Sequence, residues 1–114
     1  MTKEPTRPAE GTAAPAEQIT EEEAFDRLIQ SEGRVLVDFY AGWCGPCQLM
    51  APTIDELAAE CDAPVVKVDT EELPQVAYRY DVQSIPTFLV LDGGDVTDRL
   101  VGMQNKETLA QLLE

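Results

Sequence analysis

Cys44 and Cys47, separated only by Gly45 and Pro46, are the residues of this chain with the most chemistry to offer. Two thiols three positions apart can stand as a dithiol or close a disulfide, and the interconversion moves two electrons with no bound group. What each sulfur does depends on the elements that hold it. Upstream, Val35-Leu36-Val37-Asp38-Phe39-Tyr40 is short, β-branched and aromatic, and apolar on both alternating faces, as in a strand buried inside a parallel sheet. Downstream, Met50, Ile54, Leu57, Ala58 and Cys61 recur at helical spacing and line one apolar stripe. The pair therefore sits where a central strand hands over to a helix.

That position divides the labour. Cys44 falls at the helix N-terminus, where unpaired backbone N–H groups and the positive end of the helix dipole favour a thiolate, so it is the expected nucleophile. Cys47 lies one turn deeper on the same face, close enough to close a disulfide and expected to be the more shielded, resolving cysteine. Pro46 suits the first helical turn and stiffens the loop. Asp38 is a carboxylate in the middle of an apolar, doubly covered strand, and desolvation should raise its pKa. Beneath the cysteine loop it could take the Cys47 proton through a water molecule, acting as proton acceptor when Cys47 attacks.

Other uses of the pair are weaker. A tetrahedral metal site needs two more soft or imidazole ligands, and the chain has no histidine and only Cys61 besides. A purely structural bridge across so short a loop constrains the unfolded chain little. No metal and no bound cofactor is expected; the redox-active disulfide is the working group. Cys61, on the apolar stripe of the same helix, is expected to be buried and inert.

The run from Val37 to Cys47, Val-Asp-Phe-Tyr-Ala-Gly-Trp-Cys-Gly-Pro-Cys, together with Ala51-Pro52, Lys67, Ile85-Pro86-Thr87 and Gly102, resembles the thioredoxin family from about Ile19 to the C-terminus. The resemblance implies the thioredoxin fold, α/β with a central mixed sheet of four to five strands and helices on both faces. It implies reduction of disulfide-containing protein substrates, with electrons supplied by a thioredoxin reductase. It adds Lys67 as a charge partner of Asp38 and implies a cis bond at Ile85-Pro86, exposing the Ile85 backbone to an extended substrate segment. Gly42, Trp43, Gly45, Pro46, Gly102 and Met103 would complete a substrate-binding rim around Cys44, and Tyr40 is similar to an aromatic position that covers the active loop. One departure is Gln48, where thioredoxins commonly carry a basic residue. Within enzymes the rival is an oxidase or isomerase, against which the Gly-Pro between the cysteines argues; outside them it is a binding module that keeps the motif without turnover.

Composition bounds the rest. The 114 residues suit one domain, and three cysteines are too few for a secreted disulfide framework, which points to a reducing, cytoplasmic setting. Met1 to Gln18 lacks the apolar stretch of a signal peptide, and no run approaches the roughly 18 residues of a membrane span. A net charge of -14, from 22 acidic against 8 basic residues, repels nucleic acid and anionic lipid. The acids are dispersed through the sequence, which suggests either solubility or adaptation to high salt. A monomer is expected.

In chain order, residues 1–18 are rich in Pro, Ala, Thr and Glu and read as a disordered extension, with residues 19–114 forming the domain. Ile19 closes a short edge strand, and Thr20 with Glu23 makes a capping box for a helix carrying Phe25, Leu28 and Ile29. Pro52 interrupts the cysteine-bearing helix and predicts a kink. Pro64 opens a strand over Val65 to Asp69, and Leu73, Val76, Ala77 and Tyr80 mark a short amphipathic helix. Asp92-Gly93-Gly94-Asp95 reads as a hairpin turn between two strands, and Asn105 caps a last helix.

Overall fold

The computed structural model describes residues 15–31 and 33–114. In order the elements are β1 (Glu17–Ile19), α1 (Glu22–Ser31), β2 (Arg34–Tyr40), α2 (Gly45–Glu60), β3 (Val65–Asp69), α3 (Pro74–Arg79), β4 (Thr87–Asp92), β5 (Asp95–Val101) and α4 (Lys106–Leu112). They build one five-stranded sheet in the order β1-β3-β2-β4-β5. β1, β3 and β2 run parallel; β4 lies antiparallel to β2, and β5 antiparallel to β4. This is the mixed sheet expected of strands that alternate with helices and end in a hairpin.

Strand periodicity assigns the side chains to two cores. From β2, Val35, Val37 and Phe39 join Val66, Val68, Leu89 and Leu91 beneath Phe25 and Ile29 of α1 and Val76 of α3. From the opposite face, Leu36, Val65, Phe88 and Val90 pack against Met50, Ile54 and Leu57 of α2 and Leu109 of α4. Both faces of β2 are therefore covered, which is why its sequence carries no polar alternation. Asp38 is the exception, and the same alternation puts it on the α2 face, between Lys67 of β3 and Phe88 of β4 in the register.

Some ends and turns fall where expected and others do not. Ile19 closes the edge strand β1 as expected, but the strand begins at Glu17, within the expected extension, because Glu17 and Gln18 pair with Val66 and Lys67; Ala16 is buried and its N–H donates to Asp55 Oδ1 at 3.0 Å. Of the expected extension, residues 1–14 lie outside the described residues. The capping box at Thr20 does not form: α1 starts at Glu22, so Glu21 takes the cap position and its carbonyl accepts from the Phe25 N–H at 3.2 Å. α2 continues as one helix through Pro52, which leaves the Gln48 carbonyl without its i+4 donor. The β4–β5 turn is the two-residue type, with Gly93 and Gly94 at φ 61° and 91°, where side chains with a Cβ are strained. Asn105 caps α4 by accepting from the Thr108 N–H at 2.9 Å. Across the outside, Arg79 of α3 pairs with Asp26 and Glu22 of α1, and Lys106 of α4 with Glu56 and Glu60 of α2.

Candidate active site

β2 ends at Tyr40, and the loop Ala41-Gly42-Trp43 delivers Cys44 to the N-cap of α2 with extended backbone angles, φ −84° and ψ 114°. Its Sγ accepts the otherwise unpaired N–H of Cys47 at 3.2 Å, the bond a capping side chain makes. Cys44 and Cys47 are joined as a disulfide with their Cα atoms 5.2 Å apart. The expected contrast in shielding is absent. Cys44 is 4% exposed and Cys47 7%, because Ala41, Tyr40 and Ile85 pack around the pair.

Two side chains hold the loop in place. Gln48 Nε2 donates to the Gly42 carbonyl at 2.6 Å, and the Trp43 indole N–H donates to Glu71 Oε2 at 2.5 Å. Trp43 itself remains 68% exposed beside the cysteine pair. Glu71 was not legible as a site residue, since it lies 28 positions from Trp43 and nothing local marks it off from the other surface acids. Gln48 stood out only as the missing base.

Opposite this loop, the Ile85-Pro86 peptide is cis, and the Ile85 carbonyl oxygen stands 3.9 Å from Cys44 Sγ. Gly102 donates its N–H to the Pro86 carbonyl at 2.8 Å and does so at φ 88°, a conformation that suits glycine. That bond sets Val101 and Met103, 55% and 53% exposed, beside the cis-proline turn. Gly45 and Pro46 are exposed between the two cysteines. The rim foreseen around Cys44 thus comes from three separate parts of the chain.

Asp38 is 3% exposed, and its Oδ1 is buried with no hydrogen-bond partner among the described residues. Burial pushes its carboxyl up to about 7, against a smaller opposing pull from Lys67. Lys67 faces Asp38 in the β2–β3 register, but its Nζ sits 4.5 Å from the centroid of the Tyr40 ring, so the ammonium is shared with an aromatic face. Tyr40, half-buried against the cysteines, has its phenol pushed up by burial, an effect the carboxylates of Asp69, Asp38 and Glu72 reinforce and a hydrogen bond with Gln18 offsets.

Cys61 is not buried as expected. It forms the C-cap of α2 and is half-buried, because the helix ends there and the stripe runs out to the surface. Burial and then Glu60, Asp62 and Glu114 push its thiol up, so it stays neutral. The helix length places it about 25 Å from the Cys44–Cys47 pair. Among the described residues no cluster of three His, Cys, Asp or Glu side chains could hold a metal ion.

The Thioredoxin family model matches residues 16–114. The chain belongs to the thioredoxin family. It is 46% identical to Thioredoxin 1 of Nostoc sp. over 101 residues, covering 87% of this chain and 94% of that one. It is 48% identical to a thioredoxin of Staphylococcus epidermidis over 92 residues, 79% and 88% of the two chains. Among solved structures, a mutant thioredoxin from Halobacterium salinarum NRC-1 superposes with a TM-score of 0.82 at 36% identity, covering 91% of this chain and 94% of that one. The thioredoxin fold is therefore shared with these relatives. Like other thioredoxins, the chain has a redox disulfide as its working group in place of a bound cofactor.

Proposed function

We propose that this thioredoxin-family chain is a thiol–disulfide oxidoreductase that reduces disulfides in protein substrates. One observation carries the reading: the disulfide pair sits at the N-terminus of α2, with Cys44 as the capping residue, between the exposed Trp43 and the cis Ile85-Pro86 turn, in which Ile85 is half-buried and Pro86 buried. In the reduced protein the Cys44 thiolate attacks one sulfur of a substrate disulfide. The substrate S–S bond breaks, a mixed disulfide forms, and the departing substrate thiolate takes a proton. Cys47 then loses its proton through a water molecule to Asp38 and attacks Cys44 Sγ, and the second substrate sulfur leaves and takes up a proton as a thiol. Two electrons and two protons pass to the substrate, and the Cys44–Cys47 disulfide remains.

The other roles follow from position. Asp38, with a carboxyl near 7, is matched to accept a proton at neutral pH, and Lys67 tunes it. Ile85 offers backbone groups for strand-like pairing with the substrate, while Trp43, Gly45, Pro46, Gly102 and Met103 form the surface it lies on and the buried Pro86 supports that surface from beneath. Re-reduction of the disulfide falls to a thioredoxin reductase, and the protein works as a cytoplasmic monomer. No helix among the described residues is long and apolar enough to cross a membrane. Insulin mixed with the protein and dithiothreitol tests the activity: turbidity from reduced B chains should rise well ahead of a dithiothreitol control. Equal rates would leave the binding-module reading in its place.

The acid excess fits operation in concentrated salt. At a net charge of -14 the folded chain repels itself, and screening removes that cost. The melting temperature should climb by about 5 °C or more between dilute buffer and molar KCl, equivalent to about 1 kcal/mol for a domain of this size. A melting temperature that does not move would leave solubility as the reason for the acids.

A further inference from the structure

The segments that surround the cysteine pair, residues 41–48, 69–76, 81–86 and 101–105, contain four carboxylates, Asp69, Glu71, Glu72 and Asp81, and not one Lys or Arg. Most of the described cations elsewhere are engaged away from residues 69–76, while Arg99 shares a cavity with Asp81, Ser84 and Val101. Arg34, Arg79 and Lys106 are in ion pairs, and Arg99 donates to the Tyr80 carbonyl at 2.5 Å. Lys67 is half-buried over Tyr40. On the Trp43 side a substrate approaching Cys44 therefore meets the carboxylates of residues 69–72, whereas beside the cis-proline turn Arg99 offsets Asp81.

Three of these carboxylates are placed where they can act on the substrate. Glu71 holds the Trp43 indole N–H, which fixes the exposed ring next to Cys44 with a carboxylate at its edge. Asp69 and Glu72 stand close enough to Tyr40, on the same cover of the cysteines, to disfavour its phenolate. An ammonium or guanidinium group can meet a carboxylate and an aromatic face together here. Lys67 over the Tyr40 ring shows that pairing within the molecule itself.

Resting on the disulfide-reductase reading, we infer that the β3–α3 loop, through Glu71, Glu72 and Asp69 beside Trp43, is a specificity determinant that selects substrate segments carrying Lys or Arg within a few residues of the disulfide. Such a residue reaches the loop while the substrate cysteine lies on Cys44, since each extended residue spans about 3.3 Å. Anionic segments are disfavoured by the same field. Because Glu71 and Glu72 are exposed, the selection weakens as salt screens them.

The experiment uses the full, pre-reduced chain and three disulfide-linked peptides that differ only in whether Lys, Ser or Glu flanks the cysteine. The second-order rate of oxidation is followed by Trp43 fluorescence. At low ionic strength the Lys peptide should react about tenfold or more faster than the Glu peptide, and the ratio should shrink in molar KCl. A Glu71→Gln/Glu72→Gln variant should lose most of that ratio. An Asp62→Asn/Asp95→Asn variant, altered at the other end of the sheet by the same charge, should keep it. Equal rates for the Lys and Glu peptides at low salt overturn the inference while leaving the reductase reading intact. A ratio that falls equally in both variants also overturns it, because the whole-molecule field would then be the cause. If no peptide, the Ser one included, oxidises the protein, the reductase reading fails and the inference with it.

Discussion

Replacing Cys44 with Ser should abolish disulfide reduction, lowering the rate on insulin by about three orders of magnitude or more, because the nucleophile is lost and a hydroxyl at this site is not ionised. Replacing Cys47 with Ser should give a different defect. Cys44 still attacks, but nothing expels the substrate, so a covalent mixed disulfide accumulates and appears as a mass increase under non-reducing conditions. The asymmetry is the content of the prediction, since both cysteines are nearly equally buried and exposure cannot assign their roles. What separates them is that Cys44 caps α2 and stands against the Ile85 carbonyl, while Cys47 lies inside the first turn. Trapping by the Cys44→Ser variant, and none by Cys47→Ser, would reverse the assignment. Both variants belong in a Cys61→Ser background, because Cys61 is half-buried and could capture a stray disulfide.

Asp38→Ala should make the fold more stable at high pH and the chemistry slower. An acid whose folded pKa is raised binds its proton more tightly folded than unfolded. Below the unfolded value of 3.8 the group is protonated in both states and costs nothing extra; stability then falls as pH climbs toward about 7 and stays low above it. The displacement from 3.8 to about 7 corresponds to a ceiling of about 4 kcal/mol, at about 1.36 kcal/mol per pH unit. Removing the carboxyl also leaves a small cavity, whose cost does not change with pH. The diagnostic quantity is therefore the stability difference between variant and parent at pH 4 subtracted from that at pH 8.5, from urea titrations. It should favour the variant by several kcal/mol. Meanwhile the resolving step should slow by about 10- to 100-fold at neutral pH. A pH-independent difference with an unchanged resolving rate would remove Asp38 from the mechanism.

The strand-to-helix handover was legible because its signals are local. The apolar run ending at Tyr40, the Cys-Gly-Pro-Cys spacing and the helical recurrence of Met50, Ile54 and Leu57 lie within a couple of dozen consecutive residues, and a strand buried on both faces has few other ways to read. The two-glycine turn was equally plain, since it needs positive φ at both positions. What escaped depends on contacts between distant segments. β1 carries no apolar alternation of its own, so its start at Glu17 is set by pairing with Val66. Thr20 had the side chain of a cap, but the chain leaving β1 turns into the helix one residue later. The near-equal burial of Cys44 and Cys47 comes in part from Ile85, 41 residues from Cys44 along the chain, packed against the pair with Tyr40. The clasp of Glu71 on Trp43 likewise spans loops that meet only once β2 and β3 pair.

The most direct test of the central claim is a redox equilibrium titration of the Cys44–Cys47 couple in thiol–disulfide buffers. Trp43, the single tryptophan of the chain and the neighbour of Cys44, reports the state by its fluorescence. A reductase requires one two-electron transition with a strongly reducing midpoint, at about −230 mV or lower. A midpoint near about −180 mV or higher would contradict the account and make the protein an oxidant or isomerase of disulfides.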